Sequence, residues 1–197
     1  MKSRELGMSL VEVMVAVLIS TILVLGVTEL FGNSFFSSRS NNELTRMQEA
    51  GRVALEVIGA DARRAGYQGC TAADQEHKFN DGHSLPDDAV TSSSATTVTF
   101  RFADPGTGCN DSTGTYQELT WNEPAVTYSS ANGTLSRNGD PILDNVNMSV
   151  AFIPTGSALT STAVRITITV SDSRNAAPHT LGNRTFSGTY ELRNKLL

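Results

Sequence analysis

Glu12 is the one ionisable side chain in the twenty-residue run from Met8 to Val27, MSLVEVMVAVLISTILVLGV, whose other polar members are Ser9, Ser20 and Thr21. A carboxylate placed in lipid costs about 2.5–3.5 kcal/mol even on lenient insertion scales, so it calls for a partner and a purpose. Cys70 and Cys109 are the only cysteines, and their chemistry is either a disulfide or two free thiols. His77, His83 and His179 are too few and too badly spaced for a zinc site. Asp104, Asn110 and Asp111 flank a glycine-containing turn with oxygen donors of the kind calcium takes, but the pattern is no EF-hand and is ordinary turn chemistry. The chain carries no G-x-S-x-G elbow, Walker loop, H-E-x-x-H or C-x-x-C. The expectation is a protein that is not an enzyme, with no catalytic residue, metal or cofactor.

These residues need elements to position them. A helix over Met8 to Val27, rising about 1.5 Å per residue, spans about 30 Å, the hydrocarbon thickness of a bilayer. Ahead of it lies MKSRELG, whose Lys2 and Arg4 stay cytoplasmic by the positive-inside rule and leave the remainder outside. An ordinary signal peptide would end in a small-residue cleavage site, but here the run is followed by TELFGNSFFSS with bulky Phe31, Phe35 and Phe36. A plain signal anchor satisfies the apolar length but leaves Glu12 unexplained.

A short basic leader ending in Gly7, followed by Met8-Ser9-Leu10-Val11-Glu12 and an unbroken apolar helix, resembles the class III signal of type IV pilins and type II secretion pseudopilins. The resemblance implies that a prepilin peptidase cuts between Gly7 and Met8 on the cytoplasmic side, and that Met8 becomes the N-methylated terminus. Glu12 is then the fifth mature residue. It would set assembly register by pairing with a neighbouring subunit's terminal amine, since an unpaired charge is costly both in the membrane and in a filament core. Met8 and Glu12 also stand at i,i+4 on one helix face, so the pair could equally form within one chain.

Pro86 is the first proline, and nothing before it forbids a helix well beyond the membrane. Leu44, Met47, Leu55 and Ile58, with Ala54, Ala62 and Ala65, fall near helical spacing, opposite Glu43, Arg46, Glu49, Arg52 and Glu56. Such a stripe most often packs on its own domain's core. Arg63-Arg64, the only adjacent basic pair, complements the helix dipole near the C-terminus, and Gly66 and Gly69 supply a stop. Beyond them the period changes to two. Val98, Phe100 and Phe102 alternate with threonine and arginine, as do Val164, Ile166, Ile168 and Val170, and both read as strands. Leu119 to Trp121, Ala125 to Tyr128, Ser149 to Ile153 and Thr185 to Leu192 are further candidates. Asn132-Gly133 and Asn138-Gly139 are hairpin-turn dipeptides, and Pro124, Pro141 and Pro154 mark edges, so an antiparallel meander is expected. Thr71 to Ser94 reads as loop.

The fold expected is therefore α+β and pilin-like, a long N-terminal helix packed on an antiparallel β-sheet head. It divides into a leader (1–7), a transmembrane half-helix (8–30), an amphipathic half-helix (31–67) and a β-rich periplasmic or extracellular head (68–197). In an oxidising compartment a Cys70–Cys109 disulfide is the natural pairing, stabilising by about 3–4 kcal/mol on the chain-entropy model and tying the long loop to the helix end.

The softer motifs Gly51-Arg52-Val53-Ala54-Leu55, Asp61 to Tyr67, Asp144-Asn145-Val146, Val164-Arg165-Ile166 and Leu192-Arg193-Asn194 are most similar to PilW-type minor pilins, with J-type minor pseudopilins next. That implies a structural subunit of the type IV pilus which co-assembles with other minor pilins to prime the pilus, supporting adhesion and twitching motility. Implied partners are the prepilin peptidase, other minor pilins and the major pilin, the inner-membrane assembly platform, a tip adhesin, and inner-membrane lipid before assembly. Two other readings remain: a pseudopilin of type II secretion, and a membrane-tethered periplasmic binding module that never polymerises.

With 15 Lys and Arg against 20 Asp and Glu, the net charge of −5 draws the chain to no polyanion, so nucleic acid is not an expected partner. Loss of Lys2, Arg4 and Glu5 with the leader makes the balance slightly more acidic. The 39% hydrophobic content is an average of two populations, an apolar helix and a Ser/Thr-rich head.

Overall fold

The computed structural model describes residues 9–67, 77–78, 84–102, 125–173 and 181–195. Gly7, Met8, Cys70, Cys109, His83, His179, Asp104, Asn110, Asp111 and the strand expected at 119–121 lie outside them. The chain divides into two units, Met1–Leu44 and Thr45–Leu197.

Helix α1 runs from Leu10 to Arg64, 55 residues without an interruption. The chain enters it at Ser9, whose carbonyl accepts the amides of Glu12 (3.0 Å) and Val13 (3.2 Å). It leaves through Gly66, whose φ of +80° is the left-handed conformation that glycine adopts without a Cβ penalty. Arg63 and Arg64 occupy the last turn, where cations are favourable to the negative end of the dipole. The amide nitrogen of Asn194 donates to the carbonyls of Arg63 (3.4 Å) and Ala65 (3.3 Å), satisfying acceptors that the helix end leaves open.

In the second unit the buried stripe is Met47, Gly51, Ala54, Ile58, Ala62 and Ala65, recurring every three or four residues. It joins a core built from the alternating positions of the strands, among them Val98, Phe100, Tyr128, Leu135, Met148, Ile166 and Ile168. β1 (His77–Lys78) pairs with β2 (Ser84–Leu85). β3 (Val90–Ser94), β4 (Thr97–Phe100), β5 (Val126–Ala131), β6 (Thr134–Arg137) and β7 (Asp140–Asp144) form a five-stranded sheet in sequence order. β8 (Val146–Ile153), β9 (Ala163–Val170) and β10 (Arg184–Glu191) form a three-stranded sheet. Every pairing among the described residues is antiparallel. The two larger sheets meet where Val146 donates to the Gly133 carbonyl and Val150 to that of Ala95, both at 2.8 Å.

The α+β architecture is the one expected, a long N-terminal helix followed by antiparallel sheet. Both Asn-Gly pairs turn two-residue hairpins, with φ of 52° and 78° at Asn132-Gly133 and 53° and 90° at Asn138-Gly139, the signs of type I′ turns. Of the segment read as loop, the described part from Ser84 to Ser94 is less loop-like than its composition suggests. Leu85, Ala89 and Val90 are fully buried, and Val90 and Thr91 pair with Phe100 and Thr99, so backbone pairing makes a strand of a serine run. β7 was hidden by Pro141, which an edge strand tolerates because one side of its backbone needs no partner.

Candidate functional site

The first unit is dominated by apolar surface. From Leu10 to Phe36 nearly every large hydrophobic side chain of α1 is exposed, Leu10 at 76% and Phe31 at 73%. The most apolar stretch has a mean hydropathy of 2.7 and none of it is buried, so α1 is long and apolar enough to cross a membrane. Both threonine hydroxyls along it are satisfied without water: Thr21 donates to the carbonyl of Val17 (2.7 Å) and Thr28 to that of Val24 (2.6 Å). Contiguous apolar surface on this scale marks a membrane or protein partner.

Glu12 stands in the first turn of α1, exposed, one turn after Ser9. A carboxylate there is favourable to the helix dipole, and it lies on the same side as Ala16 and Ser20 at four-residue spacing. Small residues along that side allow another helix to approach closely in a membrane. The site as a chemical object is thus a carboxylate near the start of an apolar helix, close to the segment that holds Gly7 and Met8.

Residues 2–28 match the prokaryotic N-terminal methylation motif. The match takes in Lys2 and Arg4, the Gly7-Met8 junction, Glu12 and the apolar run, and is consistent with a prepilin-type protein of the type IV pilin-like family. The motif implies processing by prepilin peptidase and a pilus-assembly context, and the long apolar helix is compatible with membrane anchoring. No curated protein matches the chain, and no solved structure does.

The head supplies a second, structural site that the sequence did not reveal. Asp61 lies among the buried residues of the stripe, and its Oδ2 accepts from the Tyr128 hydroxyl (2.7 Å) and from Nη2 (3.2 Å) and Nε (3.4 Å) of Arg137. Arg64 reaches the other carboxylate oxygen at 3.9 Å. Burial, and then the hydrogen bond to the Asp61 carboxylate, push the Tyr128 hydroxyl well above the ordinary phenol range. Desolvation works against the Arg137 guanidinium, but its hydrogen bonds to Tyr128 and Asp61 outweigh that and hold it protonated more firmly than usual. The network fastens the last turns of α1 to β5 and β6.

Gly51 and Gly59 make a second joint. A Cβ at Gly51 would overlap the ring of Phe186, and one at Gly59 the ring of Tyr190, so both aromatics of β10 sit directly on the helix backbone. Eight helical residues advance about 12 Å and four strand residues about 13 Å, so the two slots match the two rings. The Tyr190 hydroxyl donates to the Leu55 carbonyl at 2.7 Å. Arg63 lies 5.9 Å from the centre of the Tyr190 ring and Arg64 4.1 Å from that of Phe102, so the adjacent basic pair is engaged with the head's own aromatics. The signals were present in outline: a charged residue in an apolar stripe, and glycines inside a helix where each costs about 1 kcal/mol relative to alanine.

Proposed function

We propose that this chain is a minor pilin, a structural subunit and not an enzyme, held in the inner membrane by α1 with its head in the periplasm until it is drawn into a type IV pilus. The observation that carries the proposal is the coincidence of the methylation motif with the exposed apolar start of a 55-residue helix whose far end is built into a β-sheet core. Prepilin peptidase removes residues 1–7 and leaves the anchor in place, and Met8 becomes the methylated terminus. Glu12 then meets the new amine of a neighbouring subunit, which neutralises both charges inside the apolar filament core. Other minor pilins, the major pilin and the inner-membrane platform are the partners in this reading, with a position at the tip and an adhesin contact as its extension.

Glu12→Ala tests the assembly step. The variant is expected to be processed normally and to reach the membrane, but to be depleted from sheared pili while wild type is recovered there. Incorporation equal to wild type removes the role given to Glu12. A deletion that leaves pili and twitching intact but abolishes protein secretion moves the chain to the pseudopilin reading.

A further inference from the structure

The apolar surface of the first unit does not stop where a bilayer's hydrocarbon would. Counting about 1.5 Å per residue from Leu10 at the near edge of the hydrocarbon, Phe31 lies about 30 Å along α1, at the far edge, and Phe35 about 38 Å along, at the outer limit of a headgroup layer about 5–8 Å thick. The Arg39 backbone lies one turn beyond, and its side chain, tilted toward the helix N-terminus, carries the guanidinium back over Phe35. Between Glu12 and Arg39 the only charged residue is Glu29, which falls at the same far boundary. Phe31, Phe35 and Phe36 are all exposed, at 73%, 58% and 48%. They are also arranged: the Phe35 and Phe36 rings meet edge to face at 6.2 Å, and the Arg39 guanidinium lies 5.2 Å from the centre of the Phe35 ring. Phe31, Phe35 and Arg39 follow one another at four-residue spacing along one side of the helix.

Three exposed aromatics in solvent would be a liability, and an arginine in hydrocarbon a cost, but the two together suit an interface. The rings are apolar enough to sit below the phosphates, and the cation held over Phe35 is placed to reach them. We propose that Phe31, Phe35, Phe36 and Arg39 are the far-side membrane anchor of α1, with the rings at the glycerol level of the outer leaflet and Arg39 bound to phospholipid phosphates. The cluster fixes how deep the unassembled subunit sits, and extraction into a filament must release it. The inference rests on the membrane placement of α1 proposed above and adds the depth and the lipid contact.

Depth-resolved quenching tests it in the full-length chain, reconstituted in phosphatidylethanolamine and phosphatidylglycerol vesicles carrying spin labels at either headgroup or acyl-chain depth. Trp121→Phe removes the single native tryptophan, and Leu18→Trp or Phe35→Trp supplies one reporter at a time. Leu18→Trp is expected to be quenched best by the deep label, and Phe35→Trp best by the headgroup label. Adding Arg39→Glu should lower headgroup-level quenching at Phe35→Trp by about twofold or more, with Arg39→Lys close to wild type and Leu18→Trp unaffected. If Leu18→Trp is quenched by neither label, the membrane reading itself fails. If Leu18→Trp responds to the deep label while Phe35→Trp is unquenched or responds best to the deep one, the anchor is overturned and the membrane reading stands. Insensitivity of Phe35→Trp to Arg39→Glu removes the phosphate contact.

Discussion

Replacing Asp61 by alanine should destabilise the head by about 2–3 kcal/mol, and the figure can be assembled from its contacts. The Tyr128 hydroxyl is buried and donates to this carboxylate at 2.7 Å, a bond to a charged group worth about 1.5–3 kcal/mol. Part of the loss is softened, because the hydroxyl keeps the Arg137 Nε at 3.2 Å and the Val57 carbonyl at 3.5 Å. Arg137 contributes less. Its side chain is 42% exposed, so water replaces the carboxylate and screening reduces that pair to about 1 kcal/mol or below. Arg137→Ala should therefore cost clearly less than Asp61→Ala, and Asp61→Asn should fall between them, since an amide oxygen still accepts from Tyr128. The assay is urea unfolding of the detergent-solubilised chain followed by circular dichroism of the sheet, with unchanged slopes confirming the same transition. A cost for Asp61→Ala below about 0.5 kcal/mol, or an Arg137→Ala cost exceeding it, would refute the assignment of Asp61 as the centre of the network.

Gly59→Ala should cost about 1–3 kcal/mol by driving a methyl group into the Tyr190 ring, whereas Gly26→Ala, with nothing within 4 Å of its added Cβ, should stabilise the helix by up to about 1 kcal/mol. The same unfolding assay separates them, and equal effects would dismiss the slot. Tyr128 should resist ionisation: its pKa is raised in the folded state, so the stability it contributes is complete below the unfolded value of about 10 and is lost as pH rises through the folded value. An alkaline titration of tyrosinate absorbance should show one tyrosine fewer ionising in Tyr128→Phe only at the alkaline extreme, and loss of a normally titrating group would contradict the burial. Gly139→Ala should weaken the β6–β7 hairpin by about 1 kcal/mol because of its left-handed φ of 90°, and a stabilising effect would exclude that conformation.

Local signals carried much of this fold in the sequence. The long helix follows from the absence of proline before Pro86 and from three-and-four spacing up to Ala65, and β4 and β9 from strict alternation. Both Asn-Gly hairpins were legible because the turn chemistry is confined to two residues. What escaped was set by distant partners. β3 is a serine-rich segment held by backbone pairing to β4, and β7 is an edge strand that contains a proline. The Asp61 site joins residues 67 and 76 positions apart, which no periodicity connects. The glycine slots are similar, because the reason for Gly51 and Gly59 is a pair of rings in the last strand. At the N-terminus the opposite holds: the methylation motif lies within residues 2–28, and in the proposed reading Gly7, Met8 and Glu12 are a local signal read along the chain, so the sequence alone displays it.

Mass spectrometry of the N-terminus of the protein purified from membranes of its native host is the most direct test of that signal. The expected result is a mature chain that begins at Met8 and carries one methyl group on its amine. A chain that begins at unmodified Met1 would contradict it.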